Sequence, residues 1–144
     1  MEHHVTDLNL SKQLKEAGVP QKSQFYWRKY SLCKEPALYW ELNSKIDLAV
    51  IFGKLEYKYS AFLASELGEM LPAFIYTEEG TYDLMLEIIH VGTEWEANYC
   101  WTQDVDNGGF HNLPGVSDEM LCGCLAKRLL YLIKHNLINF KKEK

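Results

Sequence analysis

Residues 118–135 read DEMLCGCLAKRLLYLIKH, and within them Leu121, Leu125, Leu129 and Leu132 recur at the spacing of one helical face. Cys124, Ala126 and Ile133 widen that face into a broad apolar stripe that has to be buried against another layer. Ser117 offers a hydroxyl as N-cap, and Asp118 and Glu119 suit the positive end of the helix dipole. Lys134, His135 and Asn136 suit its negative end. The pattern predicts a helix from Asp118 to about His135.

Much of the remaining chain has strand character. Thr6 or Asp7 can cap a first helix over Leu8 to Ala17, in which Leu10, Leu14 and Ala17 share a face and Gly18 and Pro20 supply the stop. Ser23 to Tyr30 alternates with aromatics, and Leu38 to Leu42 and Ile46 to Phe52 are further strand-like runs, so a meander of two or three strands is expected. Ser60 to Leu71 changes period, with Leu63 and Leu67 on one face, Ser60 as its expected cap and Pro72 against continuation. Tyr82 to Val91 and Glu94 to Thr102 return to strand, joined by Gly92 and Thr93 as a hairpin turn. Asp104 to Gly115, with three Gly, two Asn, two Asp and one Pro, is a loop. The expected fold is α+β: a mainly antiparallel sheet of four to six strands, an N-terminal helix and two further helices packed on one face.

A chain of 144 residues with 47% hydrophobic and 24% charged residues suits one globular domain over residues 1–144, with a mobile basic tail at 141–144. The richest apolar tract, Leu125 to Phe140, is broken by Lys127, Arg128, Lys134 and His135, so no membrane partner is expected. Residues 1–14 lack the layout of a signal peptide, and four cysteines are too sparse for a disulfide scaffold. A reducing cytoplasm is the expected setting.

Three patches carry a resemblance. They are Leu14-Lys15-Glu16-Ala17-Gly18-Val19-Pro20-Gln21 leading into Ser23-Gln24-Phe25-Tyr26-Trp27, then Ala64-Ser65-Glu66-Leu67-Gly68-Glu69-Met70-Leu71-Pro72, and Leu130-Tyr131-Leu132-Ile133-Lys134-His135-Asn136-Leu137-Ile138. Together they resemble a loose group of small uncharacterised proteins of phages, prophages and bacterial genomes. Each patch looks like structural punctuation, so the resemblance implies a compact α+β domain and carries over no catalytic residue.

Candidate chemistry is thin. Cys122 and Cys124 form C-x-C, and on a helix residues two apart point about 200° from each other, so they are expected as packing thiols and not as a metal pair. Cys100, His90 and His111 lack ligand spacing. The run from Asp104 begins like a calcium loop but has Gly108 at position five and Gly115 at position twelve. Glu66 and Glu69 could present two carboxylates on one helix, though exposed acids of this kind are commonly just solvated. No catalytic residue, cofactor or metal is expected, and the balance leans away from an enzyme. The aromatics Phe25, Trp27, Tyr39, Trp40, Tyr57, Tyr59, Tyr99 and Trp101 read first as core and second as a stacking surface.

The distribution of charge is more informative. From Thr77 to Glu119 there are ten carboxylates and no Lys or Arg, within a net charge of −5. A phosphate-tracking surface needs clustered bases, so nucleic acid is not an expected partner of this stretch. Strand alternation puts Asp83 and Glu87 on one parity and Glu94 and Glu96 on another, and a suitable register would gather them on one face. The leading expectation is a small non-enzymatic accessory or interaction protein that presents Asp83, Glu87, Glu94, Glu96, Asp104 and Asp106 to a basic protein surface. The alternative is a ligand-binding protein or enzyme with a pocket built on Trp27, Tyr99, Trp101 and His111. Homo-oligomerisation is compatible with either.

Overall fold

The computed structural model describes residues 2–41, 47–76, 83–101 and 113–140, with only the backbone of Glu2, Tyr76, Asp83 and Trp101. After a 3-10 turn at Glu2–His4, the helices are α1 (Leu8–Glu16), α2 (Leu48–Phe52), α3 (Ala64–Met70) and α4 (Leu121–Lys134). The strands are β1 (Phe25–Tyr30), β2 (Ala37–Trp40), β3 (Leu55–Ala61), β4 (Phe74–Tyr76), β5 (Asp83–Val91), β6 (Glu94–Trp101) and β7 (Ser117–Asp118). The α+β class holds, with the strands divided between two antiparallel sheets, β2-β1-β3 and β4-β5-β6-β7, where a single sheet was expected.

Local chemistry explains most element ends. The Asp7 carboxylate accepts from the Leu10 N–H at 2.8 Å and caps α1, and Gly18, at φ 94°, follows its end. The β5–β6 turn uses Gly92 at φ 63°, where a Cβ-bearing residue is strained. The Asp104 to Gly115 loop and the 141–144 tail fall largely outside the described residues.

Three local expectations are corrected. The run expected as a strand from Ile46 to Phe52 is, over its described part, helix α2: Asp47 accepts from the Ala49 N–H at 3.2 Å, and Gly53 at φ 83° closes it. A five-residue apolar run has no period long enough to separate strand from helix. Ser60 caps nothing; it is buried in β3, and α3 starts at Ala64, where Glu66 Oε1 accepts from the Leu63 N–H at 3.2 Å. Ser117 pairs with Glu96 in β7, so α4 begins after Met120, whose N–H donates to Asp118 Oδ1 at 2.8 Å.

The core lies between α1, α3, α4 and the inner face of the second sheet. Leu10 and Leu14, Leu67, and Leu125, Leu129 and Leu132 from the three helices meet Leu84, Ala97 and Tyr99 from β5 and β6. The predicted α4 stripe is therefore the buried one, with Leu121 at its margin. The first sheet joins this body through α1, which contacts β3, and through residues 5–6. Val5 bridges Leu63, the Thr6 N–H donates to Phe62 O at 2.9 Å, and Trp27 Nε1 donates to Thr6 O at 2.9 Å. No helix among the described residues is long and apolar enough to cross a membrane.

Candidate functional site

The hairpin β5–β6 pairs Glu87 with Asn98, Ile89 with Glu96 and Val91 with Glu94. Facing residues of an antiparallel pair share a side, so Glu87, Glu94 and Glu96 stand on one face together with Met85, Ile89 and Val91. Asp83 has the same parity in the backbone of β5. Glu87 and Glu94 are exposed, Glu96 is half-buried, and Met85 and Val91 remain 42% and 53% exposed. Among the described residues no lysine, arginine or histidine is ion-paired with Glu87, Glu94 or Glu96. Asp104 and Asp106 lie outside the described residues.

The opposite face of the hairpin is closed around Leu84, Ala97 and Tyr99, while Ile88 and His90, nearer the turn, remain exposed. Leu84, Ala97 and Tyr99 point into the core, and α4 lies over β6. Arg128 of α4 is fully buried there, with Nε donating to Ala97 O at 2.7 Å and Nη2 to Pro114 O at 2.6 Å. Its guanidinium lies 5.9 Å from the Tyr99 ring centre and 5.3 Å from that of Tyr131. Burial pulls the guanidinium below its ordinary pKa, and two carbonyls and two rings take the place of a carboxylate partner. α4 thus locks one side of the hairpin and leaves the acidic side uncovered by it.

One acid of the same stretch is neutralised internally. Asp118 Oδ2 is 2.8 Å from Lys127 Nζ. Burial opposes its ionisation, but the hydrogen bonds from Lys127 and Met120 and the charge of Lys127 outweigh that and hold the carboxyl below its usual value.

Of the residues named for an aromatic pocket, Trp27 and Tyr99 lie in different sheets. Trp27 sits in the first sheet with its indole N–H committed to Thr6 O, whereas Tyr99 is fully buried in the second with its hydroxyl donating to Pro72 O at 2.7 Å. Burial pushes the Tyr99 phenol up to about 12, against the opposing pull of Arg128. The Trp101 backbone shares the parity of Tyr99, and His111 lies outside the described residues.

The other candidates resolve into structural roles. His90 pairs with Trp95 and Met85 with Cys100, so His90 and Cys100 occupy opposite faces of the hairpin. Cys122 and Cys124 are buried, and burial raises both thiols, Cys124 to about 11, which disfavours the thiolate that a nucleophile or metal ligand requires. Glu66, besides capping α3, lies 3.0 Å from Ser23 Oγ. A cleft of about 360 Å³ is lined by His3, His4, Trp95, Glu119, Met120 and Cys122, among others, but its thiol is the protonated Cys122. Among the described residues no group of three His, Cys, Asp or Glu is placed to hold a metal ion.

No protein-family model, curated protein or solved structure matches this chain.

Proposed function

We propose that the protein is a small non-enzymatic interaction protein whose exposed β5–β6 face docks a basic partner surface with apolar side chains at its centre. The observation that supports this reading is the interleaving of Glu87, Glu94 and Glu96 with Met85, Ile89 and Val91 on the face turned away from α4. Carboxylates without a described internal base favour basic partners and speed their encounter, and the exposed aliphatic side chains supply the area that desolvates on contact.

The test compares the wild-type protein with Glu87→Gln/Glu94→Gln/Glu96→Gln and, separately, with Met85→Ser/Val91→Thr. A partner captured from native host cells and identified by mass spectrometry should be basic, should bind more weakly as salt rises, and should be lost from both variants while their melting temperatures stay near wild type. Capture that is indifferent to salt and equal for wild type and the triple Gln variant would reject the proposal.

A further inference from the structure

The first sheet contains a second, oppositely charged feature. Arg28 of β1 faces Lys58 of β3 across the antiparallel ladder, and Tyr26, one row away, faces Tyr39 of β2 on one side and Ser60 of β3 on the other. All five residues share one face of the sheet. It is not the α1 face, because Trp27 and Tyr59, which meet Thr6 and Lys15, have the other parity. The Arg28 guanidinium lies 5.6 Å from the Tyr26 ring centre and 5.5 Å from that of Tyr39, and Lys58 Nζ is 4.1 Å from the Tyr26 ring.

Two cations directly opposite each other in a sheet repel, and this pair persists in a chain whose net charge is −5. Arg28 is only 4% exposed, and among the described residues no carboxylate ion-pairs with either Arg28 or Lys58. Glu41 lies near enough to Lys58 to offset part of the repulsion, and Lys15 adds to it. On the same face, Ser60 Oγ is buried without a hydrogen-bond partner among the described residues. On the other side of Arg28, Ala37 contributes only a methyl group and is exposed. The rings hold the cations in place but offer them no anionic acceptor.

We infer that this face is an anion site, formed by Arg28 and Lys58 between Tyr26 and Tyr39, for the phosphate group of a small phosphorylated molecule. A tetrahedral oxyanion accepts from a guanidinium fork and an ammonium together and neutralises both, which a carboxylate bound in one fork does not. Burial, the Arg28 charge and the Lys15 charge lower the Lys58 pKa against the pull of Glu41, so a bound phosphate should raise it.

The test is titration of the full chain with inorganic phosphate, with adenosine monophosphate and with acetate, followed by calorimetry and by NMR of the Lys58 side chain. Phosphate or the mononucleotide should bind, acetate should not, and the Lys58 ammonium should titrate at higher pH in the complex. Binding of both phosphate and the mononucleotide gives inorganic phosphate as sufficient, whereas binding of the mononucleotide alone adds a requirement for its organic part. Lys58→Gln should weaken binding by about tenfold or more, in line with loss of one charge-assisted contact, while melting no lower than wild type. Arg28→Lys keeps the charge, loses the fork and should give an intermediate affinity. The inference falls if neither phosphate nor the mononucleotide binds at millimolar concentration, if Lys58→Gln binds them as wild type does, or if only a single-stranded oligonucleotide binds.

Discussion

A methyl group placed on Gly123 would stand 2.7 to 2.9 Å from all three atoms of the Asp118 carboxylate. The first turn of α4 therefore closes over Asp118, which in turn holds the Met120 N–H and Lys127. Cys122 and Cys124 are buried thiols on either side of a residue that has to be small.

Gly123→Ala should accordingly destabilise the protein by about 1 to 3 kcal/mol, although alanine is favoured over glycine within a helix by about 1 kcal/mol. In an Asp118→Ala background the same change should be neutral or stabilising, and thermal melts of the four proteins measure the coupling. The Asp118 carboxyl is depressed in the folded state, so its contribution is present above the unfolded value near ~3.9 and is lost as pH falls through the folded value. Asp118→Ala should lack that part of the acid limb.

Leu125 is 2% exposed on the core side of α4. Leu125→Asp should cost about 4 kcal/mol or more, since it buries a charge with no partner, and circular dichroism should show an unfolded or strongly destabilised chain at room temperature. An unchanged melting midpoint would place this side chain outside the core.

Tyr99→Phe removes the hydrogen bond to Pro72 O and should cost about 1 to 2 kcal/mol. The raised phenol also sets an alkaline limit. Stability linked to the protonated hydroxyl is fully present below the unfolded value near ~10 and declines as pH rises towards about 12. Denaturant unfolding followed between pH 9 and 11 should show a shallower loss for the Phe variant than for wild type.

The hairpin and α4 were legible in the sequence because each rests on local chemistry: alternation with a glycine at the turn, and a long stripe with helical period. The shared face of Glu87, Glu94 and Glu96 follows from the same alternation once Gly92 sets the register. β3 was not legible, since Leu55 to Ala61 places lysine, glutamate and tyrosine where a half-buried strand usually shows aliphatics, and its Ser60 resembles a cap. β4 and β7 are too short for any period and are formed by pairing alone. The Arg28 and Lys58 pair lay beyond sequence reasoning for another reason: thirty residues separate the two, and only the ladder between β1 and β3 makes them neighbours.

Dividing the strands into two sheets has a consequence for how the molecule opens. The apolar cluster is concentrated around α4 and the second sheet, whereas the first sheet is joined to it through α1, residues 5–6 and the end of β3 at Ala61 and Phe62. Amide protons of β1 and β2 should then exchange with solvent through a partial opening of lower free energy, while those of α4 and β6 exchange only with global unfolding. The cation pair would sit on the unit that opens first and the acidic face on the unit that stays closed, so that an anion bound at Arg28 and Lys58 would slow exchange in the first sheet selectively.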